Sequence, residues 1–411
     1  MESGLGVKPK SVQDKNRRIV LATIRSMKAI TMPELSERLG LSKTTMSKII
    51  TKLLEKGFIV SVGKGESSDE GGKRPELFSL NASRSYAIGV HIAPKQISVA
   101  LSNLSSTIID KITNEIQKNE NLDVVVSIIT QSVQNLLLKH KLSPQELIGI
   151  AIGAHGITDI EKGTSLFSPH FPSWGENVEL KRLITESLSF ETTVIVDNQI
   201  RFQVFAEHKS GIAQAYQNIV VIEGGEGLVA GIIVANVIQH GIHQLAGEIG
   251  HMPLDPYDSQ ECACGSKGCF EVLVSSQRVI SRYIQTIKKK KQRSQVLTKD
   301  QVSLRDIFKA AENGDSIAAS CLDETAAWFA RGIANLILVV DPQIIIFQGI
   351  YAEAGSCFME YIYRHLTNLA IPNVRKDLIV EYSKMGSDAC LIGATGFLIE
   401  DYFKRTELLS D

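Results

Sequence analysis

One Gly-rich stretch in the second half of the chain constrains the fold more than any other feature. It carries the sequence HMPLDPYDSQECACGSKGCFE, which contains His251, Cys262, Cys264 and Cys269. One imidazole and three thiolates are the ligand set of a closed, tetrahedral structural zinc site. Two cysteines separated by a single residue are difficult to join in an unstrained disulfide. The stretch therefore predicts a structural zinc site; the alternative is a set of reduced thiols beside a histidine.

Two glycines and the rest of the chain support the metal interpretation. Gly265 and Gly268 would let the backbone turn so that Cys264 and Cys269 reach one ion from opposite sides. The N-terminus has no apolar core of signal-peptide length, and the longest apolar runs are too short to span a bilayer. We therefore expect a soluble, cytoplasmic protein with no membrane partner. A reducing compartment again favours metal ligation over disulfides.

Charge is distributed unevenly along the 411 residues. Residues 1–82 contain 15 Lys and Arg against 9 Asp and Glu, whereas the remainder contains 29 against 36. A chain of this length usually forms two or three domains. The asymmetry predicts a basic head that meets a polyanion and an acidic body with a different task.

The head has the pattern of a helix-turn-helix. Thr31 and Glu34 form a capping-box start for a short helix, which Gly40 ends. Ser42 is placed to cap the next helix, Lys43–Lys56. Its inner face is predicted to consist of Met46, Ile49, Ile50, Leu53 and Leu54. The second helix would then be the recognition helix, which enters the major groove of double-stranded operator DNA.

A wing is expected after the recognition helix. Residues 58–62 and 76–80 are predicted as two strands that bracket a loop of Gly, Ser and charge. The residues expected to contact bases, phosphates or the minor groove are Ser42, Lys43, Thr44, Thr45, Ser47, Lys48, Lys52, Lys73 and Arg74. The alternative is a helical hairpin with solvated lysines. The caps, the wing and the basic charge together favour DNA binding.

The body alternates strands and helices in two similar halves. Strands are predicted from Tyr86 onwards, and a related rhythm recurs from Asn218, which suits two α/β lobes with a ligand-binding cleft. We expect a winged helix-turn-helix domain over residues 1–82 and a first lobe over residues 83–197, with a C-terminal helix 390–411 packing back. The second lobe is expected over residues 198–389 and would carry the zinc loop 247–272.

The zinc stretch, preceded by Glu248-Ile249-Gly250, resembles the signature of the ROK family of repressors and sugar kinases. The head-plus-body arrangement is similar to that family's xylose-operon and glucose-responsive regulators. The resemblance covers essentially the whole chain and implies a two-lobed, actin-like (ribonuclease-H-type) α/β body that binds a sugar and forms a homodimer or homotetramer. It also implies that Asn198, Glu248, His251 and Glu271 contact the sugar, with His251 serving the zinc as well.

The departures from the family pattern concern phosphoryl transfer. The position of the kinase general base is Gln199, whose neutral amide cannot accept a proton. The first phosphate loop is replaced by residues 91–95, and the second carries Glu226 between two glycines. We therefore expect a sugar-responsive transcriptional regulator, a repressor by the commoner logic of the family, that does not phosphorylate its effector. The alternatives are a sugar kinase with a fused DNA-binding domain and a regulator whose body binds a protein partner.

Overall fold

The structure is a computed structural model that describes residues 9–65, 74–290, 302–369 and 377–405. The helices are α1 (Pro9–Met27), α2 (Met32–Leu39), α3 (Lys43–Glu55), α4 (Leu122–Lys139), α5 (Leu180–Ser187), α6 (Gln199–Ser210), α7 (Phe270–Val274), α8 (Ser276–Lys290), α9 (Leu304–Glu312), α10 (Ser316–Val340), α11 (Gly355–Leu369) and α12 (Ala389–Lys404). The strands are β1 (Ile30–Thr31), β2 (Ile59–Lys64), β3 (Glu76–Leu80), β4 (Tyr86–Ala93), β5 (Gln96–Asn103), β6 (Ile108–Glu115), β7 (Leu147–Ala154), β8 (Ile157–Asp159), β9 (Thr164–Phe167), β10 (Val194–Asn198), β11 (Ile219–Gly224), β12 (Leu228–Val234), β13 (Val237–Ile238), β14 (Ile344–Gly349) and β15 (Ile379–Tyr382). Within the described residues, no helix combines the length and apolarity needed to cross a membrane.

The described residues divide into two compact units. Unit 1 comprises Met1–Ile152, Glu179–Ile195 and Ala394–Asp411, and unit 2 comprises Gly153–Val178 and Val196–Gly393. The predicted head and most of the predicted first lobe are thus grouped in unit 1. Residues 153–178, which the sequence placed in the first lobe, belong to unit 2.

The head consists of α1, α2 and α3 with a small sheet of order β1-β3-β2. The capping box at the start of α2 is confirmed, because the Thr31 and Glu34 side chains each accept the other's backbone N–H. The prediction for the inner face of α3 is wrong at Leu54, whose side chain is 38% exposed, whereas the other four residues are buried. Leu54 lies at the edge of the apolar stripe, where helical periodicity does not decide burial. Sequence reasoning also missed β1, in which Ile30 pairs with Phe78 of β3.

Helix α12 contacts the head within unit 1. Tyr402 accepts a hydrogen bond from the Arg84 guanidinium at 2.7 Å. The same guanidinium lies 4.1 Å from the centroid of the Phe58 ring, and the Tyr402 ring lies beside Phe58. Leu398 of the same helix approaches Gly149 of β7. The end of α12 therefore packs against both the winged helix-turn-helix and the body of unit 1.

The two large sheets share one strand order. Unit 2 has the order β13-β12-β11-β14-β15, and the sheet of unit 1 has the order β10-β7-β4-β5-β6. The two orders are the same when one is written in reverse. In each sheet, the three strands that come first in the chain form a meander. The two strands that come later in the chain lie on the other side of the meander's first strand. In unit 2 this central strand is β11, which pairs antiparallel with β12 and parallel with β14. The repeat predicted from the sequence is therefore a repeat of topology.

Aromatic packing fixes the core of unit 2 around the long helix α10. Phe329 of α10 is fully buried and contacts Phe347 and Tyr351 with ring centroids 5.2 and 4.7 Å apart. Phe270 packs edge-on against Phe329 at 5.4 Å. Edge-to-face pairs of this kind add specific geometry to a large buried apolar area. Since Phe270 directly follows Cys269, the core anchors the end of the cysteine-rich loop.

Candidate effector, metal and DNA-binding sites

The structure brings together the four predicted metal ligands. Their ligand atoms all lie within 4.8 Å of one another. His251 Nδ1 is 3.6 Å from Cys262 Sγ, and Cys264 Sγ is 3.7 Å from Cys269 Sγ. Two sulfurs bound tetrahedrally to one zinc ion would be about 3.8 Å apart. The four side chains are therefore arranged so that they could hold a metal ion.

Backbone turns at glycines shape this loop. Gly268 has φ +66°, and a Cβ there would lie 1.6 Å from the carbonyl oxygen of Asp255. The Gly268 carbonyl accepts the backbone N–H of Leu254 at 2.8 Å. Only glycine permits both the left-handed backbone and this close approach. The loop therefore turns back on itself and returns Cys269 to the side of His251, whose backbone carbonyl lies 3.8 Å from Cys269 Sγ.

The thiols have unequal acidities. Burial raises the pKa of Cys269 to about 12 and also raises that of Cys262. The pKa of Cys264 is lowered to about 6, chiefly by a hydrogen bond from the backbone N–H of Ser266. Buried thiols that resist ionisation need a strong positive charge beside them to become thiolates, and a bound metal ion supplies one. This donor set therefore suits a thiophilic metal.

Of the predicted sugar contacts, His251 belongs to the metal cluster, and Glu248 and Glu271 lie close to its residues in the chain. Glu271 lies in the first turn of α7, and its Oε2 accepts the backbone N–H of Leu228 at 2.9 Å. Burial raises the pKa of Glu248, the Glu271 charge adds to the effect, and His251 and Arg201 oppose it. His251 presents Nδ1 to the cysteines, which leaves Nε2 for another partner. The charges of His251 and Glu271 thus both act on the Glu248 carboxyl group.

Asn198 occupies the N-cap of α6 and is buried. Its Oδ1 accepts the backbone N–H of Ile200 at 3.0 Å, and its Nδ2 donates to the Gly156 carbonyl at 2.7 Å. A primary amide has two N–H donors and two acceptor lone pairs. Among the described residues, one donor and one acceptor of Asn198 have no partner and could bind a ligand. Beside Gly156, His155 packs edge-on against His170.

Sequence reasoning missed a buried network next to Asn198. Arg201 Nη1 donates to Asp197 Oδ1 at 2.7 Å, and His240 Nε2 lies 3.1 Å from Asp197 Oδ2. Arg201 also donates to the backbone carbonyl of Gln244 at 2.7 Å. Helical spacing could not have found this pair, because Asp197 lies on β10 and α6 begins only at Gln199.

Gln199, predicted from the sequence to occupy the position of the kinase base, lies against a carboxylate. Gln199 is buried and its amide donates to Glu223, which also accepts from Gln203 at 3.3 Å. Burial raises the pKa of Glu223, and the two amide donors oppose the shift. Glu226, in the loop predicted to replace the second phosphate loop, is exposed.

Helix α3, the predicted recognition helix, exposes four of its six predicted DNA contacts to solvent. Lys43, Thr44, Ser47 and Lys48 are exposed on α3, as is Arg74 before β3; Lys52 is half-buried, and Lys73 lies outside the described residues. Ser42 caps α3 by accepting the Thr45 backbone N–H at 3.2 Å, and its hydroxyl donates to that of Thr45 at 3.0 Å. The hydroxyls of Ser42 and Thr45 are thus already hydrogen-bonded within the N-cap of α3.

The fold and sites define a class of protein: a DNA-binding helix-turn-helix joined to an actin-like body of the sugar-kinase type. The ROK family pattern matches residues 87–400, and the MarR family pattern matches residues 19–62. The chain belongs to the ROK family.

Several known proteins are similar along most of their length. The chain is 27% identical over 391 residues to the xylose repressor of Bacillus spizizenii, covering 95% of this chain and 96% of that protein. It is 28% identical over 317 residues to the glucokinase of Halalkalibacterium halodurans, covering 76% of this chain and 94% of the kinase. A solved ROK family transcriptional regulator, a homologue of the Escherichia coli MLC protein, superposes with a TM-score of 0.81 at 24% identity, covering 97% of this chain and 98% of that one.

Proposed function

We propose that the protein is a transcriptional repressor that binds operator DNA through its head and a monosaccharide through its ROK body. The observation that carries the proposal is the helix-turn-helix with an exposed polar recognition face, present on the same chain as a body of sugar-kinase fold. The likeness to a xylose repressor extends over head and body alike. A kinase relative, by contrast, matches only 76% of the chain.

The sugar would be held by Asn198, Glu248, His251 and Glu271. Carboxylates and a capped amide are fixed hydrogen-bonding groups, and they would remain unsatisfied if a hydroxyl of the wrong configuration faced them. Such a site discriminates between epimers. Xylose is the first effector to test, because the xylose repressor is similar over nearly the full chain.

We propose zinc as the metal of the cysteine cluster. The donor set of one histidine and three cysteines and the distances between its atoms suit a closed tetrahedral site, in which His251, Cys262, Cys264 and Cys269 would hold the ion. The role would be structural. The loop so fixed would orient His251 and Glu271 towards the sugar.

The body is proposed to act without catalysis. Gln199 cannot serve as a general base, and its amide is engaged by Glu223. Glu226 would repel phosphate oxygens from its loop. We further propose a cytoplasmic homodimer or homotetramer, whose paired heads would read a palindromic operator. Sugar would shift the equilibrium between two arrangements that differ in operator affinity.

Operator release by sugar is the test of this function. Fluorescence anisotropy on operator DNA, repeated with xylose, other monosaccharides and ATP, is expected to show release by one sugar and none by ATP. The same sugar is expected to raise the melting temperature, because a ligand of the native state stabilises it by mass action. Sugar-independent operator binding and no thermal shift across the panel would instead favour a protein partner.

Substitution Gln199→Asp is expected to leave the protein without kinase activity. The change restores a carboxylate at the base position, but Glu226 and residues 91–95 still replace the phosphate loops. A coupled ADP-release assay with xylose and glucose measures the result. The double variant Gln199→Asp with Glu226→Thr, which also removes the negative charge from the second loop, is assayed beside the single variant. Steady turnover in the single variant would show that the base alone separates this chain from the kinases.

A further inference from the structure

The carboxylate of Asp197 is within hydrogen-bonding distance of four donor groups. Buried at 2% exposure, its Oδ1 accepts from the Asn198 backbone N–H and from Arg201, each at 2.7 Å, and from the Thr158 hydroxyl at 3.2 Å. His240 lies 3.1 Å from its Oδ2. A carboxylate with donors from this many elements fixes the start of α6, where Asn198 lies.

Arg201 connects this junction to a second segment. Its Nη1 reaches Asp197 and also the Gln244 side-chain oxygen at 3.3 Å, while Nη2 donates to the Gln244 backbone carbonyl at 2.7 Å. The guanidinium is 3% exposed. Its planar fork can satisfy both partners at once, which a lysine ammonium cannot do with the same geometry. Arg201 therefore bridges α6 and the segment of residues 239–247.

The far end of that segment sets the position of Glu248. Gln244 has φ +63°, and Gly247 accepts the backbone N–H of Ala230 at 2.8 Å. The Glu248 backbone N–H then donates to the Leu245 carbonyl at 3.2 Å. Two contacts therefore hold the chain just before Glu248. Gly247 is hydrogen-bonded to Ala230 of β12, and Gln244 is hydrogen-bonded to Arg201.

Apolar packing contributes little to holding this segment. Ile242 is 91% exposed and Leu245 is 51% exposed. A segment with few buried apolar contacts opens locally at low free-energy cost unless polar contacts restrain it. The Arg201 bridge is such a contact. Losing it should therefore disorder this segment more than it disorders the core.

We propose that Arg201 is a positioning residue that sets the spacing between Asn198 and Glu248 and thereby determines effector affinity. The inference rests on the proposed sugar-binding function and deepens it. Arg201 acts through Asp197 and Gln244 and does not contact the sugar. Its substitution reduces the response to effector while leaving operator binding in the absence of effector unchanged.

The test compares Arg201→Lys with the full-length wild-type protein. Calorimetric titration with xylose is expected to show an effector Kd at least about tenfold higher in the variant, the size of effect typical of residues that orient ligating groups. Operator affinity without sugar and zinc content are expected to stay at wild-type values. Arg282→Lys is the matched control, because Arg282 pairs with Glu324 at 3.0 Å in the same unit; its effector Kd should not change.

A second variant and a second readout keep the outcomes distinct. Gln244→Gly suits the positive φ, leaves the buried pair with Asp197 intact and removes the Oε1 contact at 3.3 Å, but it keeps the bond from Arg201 to the backbone carbonyl at 2.7 Å. It should therefore fold and raise the effector Kd in the same direction, by less than Arg201→Lys does. Hydrogen exchange at residues 244–248 should accelerate in both variants. Wild-type Kd and exchange in both variants would overturn the inference. If wild-type protein binds no sugar, the proposed function fails, and unchanged exchange would then reject the bridge as well.

Discussion

Replacing Cys269 with serine is expected to eliminate zinc binding and to release the cysteine-rich loop that precedes α7. Cys269 is buried, its Sγ lies 3.7 Å from that of Cys264, and the next residue, Phe270, is fixed in the aromatic core. A hydroxyl is a poor ligand for zinc, and the remaining donors do not close the site. We expect a loss of about 3 kcal/mol or more in the free energy of unfolding, since structural metal binding contributes directly to folding.

Metal analysis of the purified variant and its melting temperature check this expectation. Cys357→Ser is the matched control, because Cys357 is partly exposed and lies outside the cluster; it should retain zinc and stability. The sugar response is expected to fall before operator affinity does. Zinc retained at the wild-type level in Cys269→Ser would place the metal elsewhere. Equal loss of sugar response and operator binding would mean that the metal supports the whole fold.

Local sequence spacing predicted the features that depend on nearby residues. The four metal ligands lie within one short stretch, and two glycines dictate how its backbone turns, so their meeting was predictable. The same holds for the capping box of Thr31 and Glu34, whose partners are three residues apart. Local chemistry leaves few conformational alternatives in these cases.

Contacts between distant residues were not predictable in the same way. Arg201 and Gln244 are 43 positions apart, and Arg84 and Tyr402 are 318 apart. The sequence around one residue of such a pair does not identify its partner, because the contact depends on how sheets and helices pack. Leu54 shows a smaller failure of the same kind: the helical period gives a face, but only the neighbouring elements decide which edge residue is covered.

The charge reversals Lys43→Glu and Lys48→Glu, made together, are expected to weaken operator binding strongly without destabilising the protein. Both side chains are exposed on α3 beside Thr44 and Ser47, where phosphates would approach the recognition helix. Each lysine that neutralises a phosphate releases counterions on binding. We therefore expect affinity to fall by about 100-fold or more, with a salt dependence weaker by about two counterions per head.

Anisotropy titrations at several salt concentrations measure both quantities, and thermal melting monitors the fold. The matched control is Lys118→Glu with Lys181→Glu, which changes the net charge equally at two exposed lysines of unit 1 outside the head. Long-range electrostatics alone would weaken both double variants alike, because net charge acts over the whole molecule. Selective loss in the α3 variant, with unchanged sugar-induced stabilisation of the body, would assign DNA contact to the recognition helix. Wild-type affinity in the α3 variant would exclude this face of the helix as the DNA-binding surface.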